Sequence, residues 1–586
     1  MSSRRLRKAV SRRPGYMNNK DDMIYRIADN IVCPLGEGSL AVYEAMRAGK
    51  SSSCIHDGGG TGLEPYFASV FEDGFLGGEE GMTLFESLMA RSVRGALEQL
   101  KSHGYDGLDP ASGRVLFIIS TTKGNIALLR REDGFSKDSR LLLGGSADAL
   151  RKSFGNPNRP VTVSNACISG LSAQIVASRQ IESGKYDFVI VTGADLLCPF
   201  IISGFQSFKA LSQERARSFD ASRNGLNLGE AAATIIYASS GAVGNIGEAA
   251  MLNGKYVALA GGAIANDANH ISAPSRTGEG LFRTLSCLFP VLEGRKTGLV
   301  CAHGTATAYN DAMEAAALSR ASLERVPVNS LKGYIGHTLG AAGVIETIVS
   351  MYEMCYGEIL PVPDFHEIGV PVPLDVAARP RHFDGDAFIK TVSGFGGCNA
   401  SAVFVADDGI ALIKACEAGD AGVKVTASVR MDVSGSDVND IYRSSGTDYP
   451  KFFKMDMLSR LGFVAAAKLL DGKGESWDDT AVILANRHAS LDDDVKYLAT
   501  ISPGDYYPSP ALFVYTLANI VAGEIAIRYG MHGETTFYID DAFDSAAMSE
   551  EARRLIVSRR ASKVVFGWID WYDGKGCADL SLMEKI

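Results

Sequence analysis

Cys167 stands in VSNACISGLSAQ (161–172), with Ser164, Asn165 and Ala166 before it and Ile168, Ser169 and Gly170 after it. Helical spacing begins near Ser169. Two roles are open to such a thiol. It is a buried core residue, as most cysteines are, or a nucleophile whose pKa the helix N-terminus lowers. Three further motifs carry groups that suit a nucleophile. His303 lies in CAHGTAT (301–307), Lys332 and His337 in NSLKGYIGHTLGAAG (329–343), and Phe395 and Gly396 in SGFGGCNAS (393–401). An imidazole can move a proton or donate to a developing oxyanion. A glycine pair lets backbone approach a reacting centre. Each motif alone is weak, because a histidine beside a glycine loop is more often structural. Their order along the chain is far more specific.

These residues need a scaffold, and the chain supplies alternating signals for one. RVLFIIS (114–120) and YDFVIVTGAD (186–195) read as buried strands. MTLFESLMARSVRGALEQL (82–100) and SGLSAQIVASRQIESG (169–184) have helical spacing. TGLVCAHGTAT (297–307) is a strand entering a glycine-containing loop, followed by a helix over 310–322. GAAGVIETIVSMYEMCYG (340–357) is a long apolar helix. FIKTVSGFGGCNASAVFVA (388–406) reads as strand, glycine-rich turn, strand. The alternation predicts a layered α/β fold.

The last third echoes the first. MLSRLGFVAAAKLL (457–470) resembles the helix at 82–100, and DTAVILANRHAS (479–490) resembles RVLFIISTTKGN (114–125). Residues 513–539 can be laid over 164–190 without a gap. That register places Thr516 on Cys167, so the second copy carries no thiol there.

At 586 residues the chain is too long for one core. A net charge of −10 excludes a bulk basic field for nucleic acid. Ten cysteines show no CxxC pair and no zinc spacing, which predicts no metal site and suits a reducing cytoplasm. No run is long enough for a membrane span. Residues 1–22 are basic without an apolar core, so they read as a flexible arm rather than a secretory signal.

Taken together, the Cys167, His303, Lys332–His337 and Gly-Phe-Gly-Gly motifs resemble those of β-ketoacyl synthases, the condensing enzymes of fatty-acid and polyketide synthesis. RARSFDASRNGLNLGEAAA (215–233) and HGTATAYNDAMEA (303–315) resemble two more of that family's stretches. The resemblance runs from residue 24 to about 406. It implies a thiolase-like, duplicated, five-layered α/β/α/β/α fold. The expected halves are 23–238, with the nucleophile, and 239–406, with the two histidines, Lys332 and the Gly-Phe-Gly-Gly turn. Residues 410–586 look like a further N-terminal-type half domain without a nucleophile, as beside condensing enzymes of aryl polyene and flexirubin-like pathways. It would serve as a structural appendage, a chain-length-factor-like unit or a partner-binding unit.

The resemblance also implies roles. Cys167 accepts an acyl group from an acyl carrier protein. His303 and His337 donate hydrogen bonds to the malonyl thioester as CO2 leaves. Lys332 orients the histidines through Glu314. Phe395 gates the second substrate, Gly396 lets its loop approach, and Thr305 and Thr307 support the site. No cofactor or metal is required, since the phosphopantetheine arm arrives on the carrier. Arg215 and Arg217 are candidates for docking that acidic partner, or members of a salt-bridged loop. A homodimer, or a heterodimer with a ketosynthase-like subunit, is expected. Thiolases are disfavoured, because Cys398 stands where synthases usually carry Thr. Ser218, Asn224, Ala231, Cys301 and Ala306 depart from the usual motifs and point to a specialised branch. The rivals are a non-condensing partner subunit and a cysteine-dependent acyltransferase.

Overall fold

The computed structural model describes residues 23–58, 63–129, 139–410, 422–502 and 508–586. The arm expected over 1–22 lies outside them.

Three five-stranded patterns organise the chain. The first contains β1 (Ile24–Cys33), β2 (Val115–Ser120), β3 (Val161–Val163), β4 (Phe188–Asp195) and β5 (Ala231–Ala238). Its order is β3-β2-β4-β5-β1. β2 runs parallel to β3 and β4, and the β4–β5 and β5–β1 pairs are antiparallel. The second contains β6 (Tyr256–Asn266), β7 (Thr297–Cys301), β8 (Pro327–Asn329), β9 (Ala387–Gly394) and β10 (Cys398–Asp407). Its order, β8-β7-β9-β10-β6, repeats the same directions. The third contains β11 (Val423–Ser434), β12 (Thr480–Asn486), β13 (Thr535–Ile539), β14 (Lys563–Tyr572) and β15 (Lys575–Lys585). Its order is β13-β12-β14-β15-β11, again with matching directions.

Seven helices matter here: α1 (Leu84–Ser102), α2 (Ser169–Glu182), α3 (Ala308–Arg320), α4 (Ala342–Tyr356), α5 (Met457–Leu470), α6 (Leu491–Thr500) and α7 (Ile520–Tyr529). Side chains alternate across a strand, and β2 shows the result. Leu116 and Ile118 join a central core with α2 and α4, while Val115, Phe117 and Ile119 join an outer core with α1. α2 and α4 are buried nearly all round because a sheet covers each of their sides. The helix at Glu279–Leu288 and α3 cover the far face of the second sheet. This is the expected five-layered arrangement. In the third sheet α5 and α7 cover one face and the helix at Ser545–Val557 the other.

That third unit corrects the register read from the sequence. β13 occupies the edge position of β3, not the inner position of β4. The helix that follows β13, Ser545–Val557, therefore matches α2. The counterpart of Cys167 falls in Asp540–Asp544, not at Thr516, and this turn also lacks a thiol. The overlay misleads because strand–helix–strand units repeat one periodicity, so a shift of one unit preserves the apolar pattern.

β13 also pairs antiparallel with β3, Tyr538 opposite Val163 and Ile539 opposite Thr162. The first and third sheets thus run on into each other. This edge of the first sheet is therefore covered from within the chain. Ion pairs reinforce the seam. Arg179 donates to Glu534 at 2.6 and 2.8 Å and to Glu551 at 2.8 Å, all three nearly fully buried. Arg283 pairs with Asp478 at 2.9 Å, and Arg159 pairs with Asp540.

Candidate active site

Cys167 sits on a tight elbow between β3 and α2. Ala166 holds a left-handed φ of +49°, and the Ser169 hydroxyl accepts the Asn165 N–H at 2.7 Å. The chain therefore turns sharply and leaves the thiol partly exposed, beside the Gly394–Gly397 loop. A Cβ on Gly394 would stand 3.2 Å from the Cys167 amide nitrogen, so that position tolerates little more than a hydrogen. The helix start does not make this thiol acidic, contrary to the sequence expectation. Burial pushes it up to about 12, against a downward pull from the Lys332 ammonium.

His303 follows β7, and its loop is pinned from α3. Glu314 accepts the His303 N–H at 2.8 Å and the Gly304 N–H at 2.7 Å. The Thr305 and Thr307 hydroxyls meet at 2.9 Å in the same loop. His337 is held by its backbone, which donates to Asn227 O at 2.7 Å and accepts from Gly229 N at 3.0 Å. The two imidazoles stand edge to face with centroids 5.1 Å apart. The donor atoms of Cys167, His303 and His337 all lie within 4.8 Å of one another. Nδ1 of His303 and both ring nitrogens of His337 are buried without a hydrogen-bond partner. Buried polar atoms rarely stay unpaired unless a ligand completes them. Burial, and after it Lys332, holds both imidazoles well below the usual histidine range, so both are neutral at neutral pH. The same three donors suit a thiophilic divalent ion, but the adjacent buried ammonium groups oppose a dication.

Lys332 is ion-paired with Glu346 rather than with Glu314. Its Nζ donates to Glu346 of α4 at 2.6 Å, and both side chains are buried. Two further residues were not legible as site residues. Lys390 pairs with the other oxygen of Glu346 at 2.7 Å. Asp195, at the end of β4, accepts from Thr121 Oγ1 at 2.8 Å and from Gly340 N at 2.7 Å, tying the loop after His337 to the first sheet.

The Phe395 ring stacks on Phe205 and Phe208. Its loop uses left-handed glycines, φ +89° at Gly396 and +71° at Gly397. Asn519 of the third unit donates to Phe395 O at 2.8 Å. Cys398 is buried and donates to the same carbonyl at 3.1 Å, a structural role. Arg215 and Arg217 pair with Asp364 and Glu214, which favours the salt-bridged loop.

A small apolar cavity opens at Cys167. Ile201, Phe205 and Phe395 line it from the first two units, and Phe513, Thr516 and Leu517 from the third. Lys123, with its Nζ on Asp494 and on Thr516 O, ties the two sides together. Residues 513–517 were read as the copy of the nucleophile turn. They are instead part of the wall facing the nucleophile.

Models described as the β-ketoacyl synthase N-terminal and C-terminal domains match residues 151–242 and 256–366. The 3-oxoacyl-[acyl-carrier-protein] synthase 2 of Rhizobium meliloti (strain 1021) is 30% identical over 47% of this chain and 67% of its own length. The putative polyketide beta-ketoacyl synthase 1 of Streptomyces halstedii is 30% identical, and the match spans 44% of this chain but only 63% of that relative. The solved structure described as "PfaC Keto synthase-Chain length factor" shares the fold over 96% of this chain and 78% of its own, with a TM-score of 0.75 at 14% identity. With the nucleophile elbow and the paired imidazoles in place, the chain belongs to the β-ketoacyl synthase family.

Proposed function

We propose that the chain is a β-ketoacyl-acyl carrier protein synthase of a specialised fatty-acid, polyketide or aryl polyene-like pathway. The observation that carries this is the cluster of one thiol and two neutral imidazoles, with unpaired ring nitrogens, at the mouth of an apolar cavity. In the first step the Cys167 S–H gives its proton to an imidazole as sulfur attacks the acyl thioester carbonyl. The oxyanion is held by the Cys167 and Phe395 amides. The carrier thiol leaves with a proton, and the acyl group remains on Cys167. In the second step the malonyl C–CO2 bond breaks and its electron pair moves into the thioester enolate. N–H groups of His303 and His337 donate to the enolate oxygen. The enolate carbon then attacks the acyl-Cys167 carbonyl, a C–C bond forms, and Cys167 leaves as a thiolate that takes up one proton from solvent. Every step uses side chains and the carrier's own phosphopantetheine thioester, so no resident cofactor is required.

The third unit supplies the far wall of the acyl cavity and, with no thiol at its own nucleophile turn, performs no condensation. Its partners are acyl and malonyl carrier proteins. No helix among the described residues is long and apolar enough to cross a membrane, and a reducing cytoplasm suits the dispersed thiols.

The test is intact-protein mass spectrometry with carrier proteins bearing different acyl chains, together with CO2 release from malonyl carrier protein. Both an acyl adduct and CO2 are expected. An adduct without CO2 would instead indicate a simple acyltransferase. No adduct with any chain on folded protein would leave the partner-subunit role. His337→Ala is expected to keep loading while CO2 release falls by about 100-fold. Phe513→Ala removes a ring packed on Gly204 at the cavity wall. It is expected to shift the best-loading chain to greater length, read as relative adduct yields across a chain series. An unchanged preference would remove Phe513 from chain selection.

A further inference from the structure

Lys390 is the one charged residue of β9. It is fully buried on β9, directly opposite Cys301 of β7. Its Nζ donates to the carbonyls of Cys301 and Ala302 at 3.2 Å each and of Thr391 at 3.0 Å. Cys301 and Ala302 are the two residues that lead into His303. The same ammonium pairs with Glu346, whose other oxygen takes Lys332. Next to it, the Thr391 hydroxyl donates at 3.2 Å to Glu314, the carboxylate that holds the His303 backbone. One continuous network therefore joins Lys332, Glu346, Lys390, the His303 strand end and Glu314. A buried ammonium with no role is costly. This one needs three carbonyls and half a carboxylate to be satisfied.

We propose that Lys390 is a second positioning residue for the condensing step. It fixes the strand end that carries His303 and adds to Lys332 a second positive charge beside the forming enolate. The proposal rests on the condensing role assigned above. The groups facing the imidazole pair are Lys332 before it in the chain, Glu346 of α4, Glu314 of α3, Cys167 ahead of α2 and Lys390 of β9. Two ammonium groups repel a third positive charge, so they disfavour imidazolium. Each neutral imidazole then keeps one nitrogen able to accept a proton beside the one N–H it donates to the substrate oxygen. Without Lys390, imidazolium forms more readily and the imidazole pKa rises towards its ordinary value.

The variants Lys390→Met and Lys390→Arg test this in the full chain. Lys390→Met is expected to leave acyl loading of Cys167 within a few-fold of wild type. CO2 release from malonyl carrier protein should fall at least about tenfold at neutral pH. The acid limb of its pH profile should move to higher pH, and Lys390→Arg should restore part of the rate. The titration of His303 and His337, followed by NMR and assigned with His303→Gln and His337→Gln, should move upward in Lys390→Met. Equal loss of loading and CO2 release, or a lowered melting temperature with the pH profile and titration unchanged, would reduce Lys390 to a structural residue and overturn the proposal. Absence of CO2 release from wild type would instead overturn the condensing role. The titration would then still report on Lys390, and no movement there would overturn its part separately.

Discussion

Cys167→Ala is expected to fold normally and to take up no acyl group from any carrier protein. The substitution removes one sulfur from a partly exposed side chain. The elbow is held by Asn165, Ser169 and the left-handed Ala166, none of which it touches. The stability cost is therefore about 1 kcal/mol or less. The chemical cost is much larger. Among the described residues, the other nucleophilic side chains lining the cavity are the hydroxyls of Thr122 and Thr516 and the ammonium of Lys123, and the last is ion-paired to Asp494. Loss of a covalent nucleophile removes roughly 10⁴-fold or more of turnover. Cys167→Ser should fare nearly as badly. Burial already raises the thiol to about 12, and a hydroxyl is a still weaker acid in the same place. Intact mass and a thermal melt, side by side, check both parts. An adduct of unchanged yield on folded Cys167→Ala would move the nucleophile elsewhere.

The second large effect concerns assembly. Arg179→Ala is expected to destabilise the chain by about 3–5 kcal/mol, seen as a lower melting temperature. Arg179 lies on α2, the helix that Cys167 precedes, and it bridges Glu534 and Glu551 of the third unit. Its loss leaves two buried carboxylates without their shared counter-charge. Removing both carboxylates as well, with Arg179→Met, Glu534→Gln and Glu551→Gln together, should recover most of the stability, because an ion pair replaced as a whole costs little. A loss under about 1 kcal/mol for Arg179→Ala would show that β3–β13 pairing holds the seam by itself.

Much of the site was legible in the sequence. Cys167, His303, His337 and the Gly-Phe-Gly-Gly turn each sit in a distinctive local pattern, and local patterns survive in a sequence. What stayed hidden depends on register between distant strands and helices. The partner of Lys332 is Glu346, one helix further on, whereas Glu314 serves the His303 backbone. Lys390 reads as an ordinary polar position in a strand until its neighbour across the sheet is known to be Cys301. Asn519 and Phe513 belong to a unit whose place against the first could not be read from spacing. Burial raises the Cys167 thiol against the pull of Lys332, and the extent of that burial is not visible in a sequence. A layered α/β fold was legible because its helices and strands carry strong, regular apolar periods, and its five layers were implied only by the family resemblance.

The antiparallel pairing of β3 with β13 sets how the cavity responds to dilution. A wall contributed by a separate molecule is lost as concentration falls below the dissociation constant of the pair. A wall on the same polypeptide is governed by an effective concentration fixed by the connecting chain, however dilute the solution. Phe513, Thr516 and Leu517 therefore face Cys167 at a constant ratio of one to one, and no competing subunit can exchange for them while the seam holds.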